Sequence, residues 1–141
     1  MLEDHFESGL TRLEETLRRQ PDAETRLYAV VGFFDRLANE QRRWALLRIE
    51  FWLYALRHPE LLPRLAEVQR RNREAIAALV QRYLPSLDDA DTQTLTRALV
   101  ALCHGLMVER LIEDTPASGE TYQAALRWMF AGLPETKEGE R

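Results

Sequence analysis

The 141-residue sequence has a single cysteine, Cys103, which excludes a disulfide framework within one chain and fits the reducing cytoplasm. Proline and glycine are scarce, six of each, and fall mainly between periodic segments. No apolar run approaches the roughly 20 residues that a bilayer-crossing helix requires, and the opening "MLEDHFESGL" is too acidic for a secretory signal. Basic charge is in deficit, with 19 Lys and Arg against 23 Asp and Glu, a net charge of −4. That balance argues against a chain that grips a phosphate backbone by itself. No segment alternates with the period of a strand, and no unit repeats at a fixed spacing.

Chemistry-bearing motifs are missing too. His5, His58 and His104 lie on different segments, with no HExxH, paired CxxC or Glu-x-x-His spacing, so no metal or other cofactor is expected. Cys103 and His104 are adjacent in sequence, so on a helix their side chains diverge by about 100° and form no dyad. "ASGE" reads as a helix start rather than a phosphate loop. "RRNREA" is basic, but Glu67 and Glu74 flank it, and a solvated face is expected there. The chain reads as a binding protein, not an enzyme.

What the sequence does contain is helix. With 45% apolar and 30% charged residues, it has the composition of a globular domain able to bury a core. Punctuation predicts six helices, at about 2–19, 23–39, 41–57, 59–84, 90–113 and 119–132. Phe6, Leu10, Leu13 and Leu17 stripe the first; "QPD" ends it, and Asp22 is placed to cap the second. Leu27, Val30, Val31 and Phe34 stripe the second, with Phe33 beside them. "RHPE" breaks the third, "LPSLDDAD" the fourth, and Ser118 is placed to cap the sixth. The expected fold is all-α, a six-helix orthogonal or antiparallel bundle over residues 1–133, with a loose charged tail at 134–141.

Two helices carry more than one apolar stripe. The third shows Trp44, Leu47, Phe51 and Ala55 on one sector and Leu46, Ile49, Leu53 and Leu56 on another, with Ala45 and Trp52 between. Arg43, Glu50, Tyr54 and Arg57 form its polar strip, where Glu50 is expected to pair with a neighbouring charge. Arg48 alone breaks the apolar sectors. A helix this dry is expected at the centre of its domain. The fifth shows Leu95, Leu99, Leu102 and Leu106; Val100, His104, Met107 and Leu111; and a small-residue face of Ala98, Ala101 and Gly105 with Ile112 at its end. Six helices have trouble covering three faces of one of them, so a homodimer is expected. Ala98, Ala101, Gly105 and Ile112 of the fifth helix, with Tyr122, Leu126 and Met129 of the sixth, would form a four-helix bundle across a two-fold axis.

The stretches "RRWALLRIEFWLYALRHPELLPRLAEVQRRNREAIAALV" and "LTRALVALCHGLMVERLIED…TYQAALRWMFAGL" carry a resemblance. An "EFW" helix ends in "R-x-P-E-L" and leads into a long helix; two final helices follow, the first with the core Ala101-Leu102-Cys103-His104-Gly105-Leu106. This layout resembles the C-terminal ligand-binding and dimerisation domain of tetracycline-repressor (TetR) family transcriptional regulators. The likeness covers nearly the whole chain and rests on helix lengths and soft apolar motifs. It departs from the family at the N-terminus, where nothing matches the helix-turn-helix reader. DNA contact is therefore expected only through a module not present here, with the first helix as the output lever.

The resemblance implies a small-molecule effector among the second to fifth helices. Phe34, Trp44, Phe51 and Trp52 are candidate walls, with Ile76 on the fourth-helix stripe and Met107 as an adaptable liner. Phe33 is a further candidate wall. Arg48, Asn72 and His104 are polar residues on apolar faces. Arg48 either snorkels to water or anchors an acidic group of the ligand. Asn72 and His104 are either satisfied core groups or ligand contacts. A lipophilic or aromatic effector of a repressor is the expectation. The rival is a pocketless helical interaction protein that homodimerises or pairs with full-length regulators.

Overall fold

The computed structural model describes residues 2–39, 42–113 and 119–133, with the side chains of 2–6, 23, 24, 27, 34, 35, 37–39 and 119 left out. Six α-helices run in order: α1 (Leu2–Arg19), α2 (Ala23–Asn39), α3 (Arg42–Arg57), α4 (Leu62–Tyr83), α5 (Asp89–Glu113) and α6 (Gly119–Ala131). A short 3-10 turn, Pro59–Leu61, precedes α4. No strand occurs among the described residues, so the fold is the all-α bundle expected. None of the described helices is long and apolar enough to cross a membrane. The expected Ser118 cap and the tail 134–141 lie outside the described residues.

Local chemistry sets the helix ends. Pro21 follows α1 and offers no N–H to extend it. The Asp22 carboxylate then accepts the Thr25 N–H at 2.8 Å, an N-cap that starts α2. Asp88 does the same for α5, accepting the Asp91 N–H at 2.8 Å. The single helix expected over 59–84 is divided. Leu61 N–H donates to the His58 carbonyl at 2.9 Å, a 3-10 closure, and Pro63 has no N–H for the next i→i−4 bond. The α-helix therefore starts afresh at Leu62.

α2 and α5 are the central elements: α2 packs on α1, α3, α5 and α6, and α5 on α2, α3, α4 and α6. Leu10, Leu13 and Leu17 of α1, spaced to share one face, enter the core with Val31 and Phe33 of α2, Ile76 of α4, Leu95 and Leu99 of α5, and Tyr122 and Leu126 of α6. Gly9 permits α1 to approach α2 closely, since a Cβ there would lie 3.0 Å from the Phe33 ring. At the α4–α5 turn, Thr92 Oγ1 donates to Gln81 Oε1 at 3.0 Å and Gln81 Nε2 donates to the Leu87 carbonyl.

α3 is not central, contrary to the expectation from its helical wheel. It packs against α2, α4 and α5 with one face, and only Ala45 and Ala55 are buried. Leu46, Leu47, Phe51 and Leu53 are exposed, and Leu56 is 64% exposed. Hydropathy records which residues tolerate burial, not whether a neighbour exists to bury them. The inner face reads Ala45, Arg48, Trp52 and Ala55, at steps of three and four. Arg48 therefore points inward, while Glu50 is exposed and makes no ion pair among the described residues.

Candidate functional site

The apolar stripe of α1 does more than bury itself. Leu10, Leu13 and Leu17 form one wall of a cavity of about 430 Å³. Val30 of α2, Ile76, Leu79 and Val80 of α4, Leu84 beyond it, Leu99 of α5, and Phe130 and Leu133 at the end of α6 complete the apolar lining. Five helices thus contribute to one space, which falls in the size range of small-molecule sites.

Three residues bring polar atoms to this lining: Arg26 of α2, Tyr83 of α4 and Arg127 of α6. The Arg26 guanidinium sits over the Tyr83 ring, 5.1 Å from its centroid. Its Nε is buried without a hydrogen-bond partner. Arg127 is solvent-exposed, donates from Nη2 to the Tyr28 hydroxyl at 2.8 Å, and lies 5.7 Å from that ring's centroid. The cavity is therefore greasy along most of its surface, with two arginines in its lining.

The expected ligand residues divide between two regions. Ile76 lines the cavity. Arg48, Trp52 and His104 gather instead under α3. The Trp52 and His104 rings meet edge to face with centroids 4.8 Å apart. Burial lowers the Arg48 guanidinium below its ordinary value, a shift that the nearby Cys103 thiol opposes. Burial also pushes His104 down to about 4, with Arg48 adding to the shift, so the imidazole is neutral near pH 7. Burial pushes Cys103 up to about 11, leaving a protonated, poorly nucleophilic thiol. Met107 is buried in α5, and Trp44 and Asn72 are half-buried. Phe51 points away from the inner face of α3 and is 41% exposed. The Phe34 side chain lies outside the described residues.

The expected dimer residues divide as well. Ala98, Ala101 and Gly105 are exposed along α5, Ile112 is 77% exposed, and nothing within 4 Å occupies the place of a Gly105 Cβ. Tyr122 and Leu126, by contrast, are enclosed by their own protomer. The Tyr122 hydroxyl donates to the Leu99 carbonyl at 3.4 Å, and burial raises its pKa. A side chain already enclosed has no surface to offer a partner, so neither fits the expected interface. Met129 is half-buried against the core. The residue that α6 presents outward is Trp128, 75% exposed.

Sequence reasoning assigned none of Tyr83, Arg26 and Arg127 to a site. The signal that singled out Arg48, a cation in register with apolar residues, is present at Arg26 too. Arg26, Val30 and Phe33 share a face of α2. On α4, Arg70 bridges Glu67 and Glu74, and Arg71 also pairs with Glu67, the solvated face expected of "RRNREA". Among the described residues no cluster of three His, Cys, Asp or Glu side chains is placed to hold a metal ion.

A helical domain with an apolar, multi-helix cavity defines a ligand-binding class of protein. Residues 21–133 match the family model described as "Tetracyclin repressor-like, C-terminal domain", and the chain belongs to that family, the ligand-binding module of TetR-like regulators. Comparison with curated proteins and with solved structures gives no match.

Proposed function

We propose that this chain is the effector-binding and dimerisation domain of a TetR-like transcriptional repressor, and that a small lipophilic molecule occupies the cavity bounded by α1, α2, α4, α5 and α6. One observation carries the reading: α1 supplies Leu10, Leu13 and Leu17 to the cavity wall. An occupant presses directly on α1, so a ligand with unequal affinity for two α1 positions shifts their populations. α1 is then the output lever, and DNA contact passes through a helix-turn-helix module beyond these residues. The cavity weighs against the rival reading of a pocketless interaction protein.

The test is uptake of Nile red, a neutral lipophilic dye. Saturable fluorescence enhancement is expected in the native protein, and its loss in Val80→Trp, which fills the cavity, with far-UV circular dichroism unchanged. Equal dye binding by folded Val80→Trp would place the dye elsewhere and defeat the reading.

Pairing of two copies through α5 and α6 is supported by the exposed strip of Ala98, Ala101, Gly105 and Ile112 on α5 and by exposed Trp128 on α6. Sedimentation is expected to give about twice 16.5 kDa for the native chain and 16.5 kDa for Gly105→Arg. Space around Gly105 lets the protomer fold around the new side chain, so an unchanged dimer in Gly105→Arg would remove this face from the interface.

A further inference from the structure

The polar side of the cavity narrows the chemistry of its occupant. The chain has more acids than bases, 23 against 19, yet among the described residues no carboxylate pairs with Arg26 or Arg127. Some other arginines do have carboxylate partners: Arg18 and Arg82 share Glu14, and Arg70 and Arg71 share Glu67. What sets Arg26 and Arg127 apart is their place in the cavity lining. Arg26 has a further feature. Its Nε is buried with no acceptor among the described residues, and its guanidinium lies over the face of Tyr83. A buried, unused cationic donor beside an apolar space is unfavourable until an acceptor arrives.

Resting on the effector-site reading above, we propose that the ligand is an amphipathic carboxylate: an apolar chain between α1, α4 and α5, with its carboxylate held by Arg26 and Arg127. The planar guanidinium fork matches a carboxylate, with Nε and one Nη of Arg26 meeting its two oxygens. Arg127, exposed at the same lining, supplies a second positive charge where the cavity reaches solvent. Tyr83 holds the Arg26 plane from below, so the donors are oriented before the ligand enters. Leu10, Leu13, Leu79 and Leu99 take the chain.

The experiment is displacement of bound Nile red by decanoate and by decanol, which share an apolar chain and differ in charge. Decanoate is expected to displace the dye from the native protein at a concentration at least tenfold below decanol, the scale of one charge-assisted contact pair. Arg26→Gln is expected to bring the two within about twofold by weakening decanoate alone, and Arg26→Lys to recover part of the preference. Unchanged displacement by decanol certifies that the variant cavity is intact. Equal displacement by both compounds in the native protein overturns the carboxylate proposal and leaves the cavity reading standing. A preference for decanoate that survives in Arg26→Gln overturns the role of Arg26. Failure of Nile red to enter the cavity at all overturns the underlying reading, and this proposal with it.

Discussion

Arg26 and Arg48 are both cations set among apolar side chains, on opposite sides of the α2–α5 centre, and their surroundings make them different residues. Arg48 faces protein: the inner side of α3, with Cys103 and His104 of α5 as its electrostatic neighbours. Arg26 faces space: a cavity of about 430 Å³, with Nε lacking an acceptor. A buried charge surrounded by protein is a packing problem, whereas one beside a cavity is an incomplete site. The two regions differ likewise in how much of their hydrocarbon is covered. α1, α4 and α6 give their leucines to the core and the cavity wall, while α3 leaves Leu46, Leu53 and Leu56 exposed.

The largest expected difference between the regions is in stability. Leu126, 0% exposed on α6, is expected to cost about 2–5 kcal/mol on replacement by Ala, through lost burial and the hole left behind. Leu56→Ala deletes the same atoms from α3 at 64% exposure and is expected to change stability by less than about 0.5 kcal/mol. Urea unfolding of the two variants checks the contrast; similar losses would mean that α3 is covered in solution.

Acid is expected to act next, through the α3 side. His104 falls from 6.5 to about 4 in the fold, so between those values the unfolded chain binds a proton that the folded chain refuses. Stability contributed by neutral His104 is complete above pH 6.5 and declines as pH falls toward 4. With the ring partly exposed, the loss is about 2 kcal/mol. His104→Phe is expected to flatten this part of the stability profile, measured by urea midpoints across the same pH range.

The two arginines can then be compared directly. Arg26→Met is expected to weaken decanoate binding about tenfold, and Arg48→Met to leave it unchanged while holding or slightly raising stability, since a desolvated cation is replaced by hydrocarbon of similar length. A tenfold loss in Arg48→Met would move the anion to the α3 cluster. The smallest effect is expected at Thr96, which lies on α5 between the regions. Its hydroxyl is buried with no partner, so Thr96→Val is expected to add about 1 kcal/mol in the same unfolding experiment.

Helix number and order were legible because punctuation is local: Pro21, Asp22, Pro59 and Asp88 act within a turn of their own position. The division at Leu62 needed the second proline, Pro63, to be weighed with the first. Which faces meet is a long-range matter, and there the residue pattern reached only part of the way. Leu10, Leu13 and Leu17 declared a stripe, but nothing in their spacing distinguishes a filled interface from a cavity wall. The α3 wheel declared hydrocarbon without declaring neighbours. Trp52 and His104 each interrupt or extend an apolar face in the sequence, but only the fold brings their rings edge to face under α3, away from the cavity lining. The pattern of α2 does not by itself single out Arg26, because Tyr83 joins it only when α2 and α4 are brought together.

The chain has three isoleucines, and they report on three places: Ile76 in the cavity wall, Ile49 on α3 and Ile112 at the exposed end of α5. A methyl proton–carbon NMR titration of the isoleucine-labelled protein with decanoate therefore tests the central claim in one spectrum. The account predicts that the Ile76 methyl moves saturably while Ile49 and Ile112 stay in place. Movement of Ile49 with Ile76 unmoved would put the ligand under α3 and contradict it.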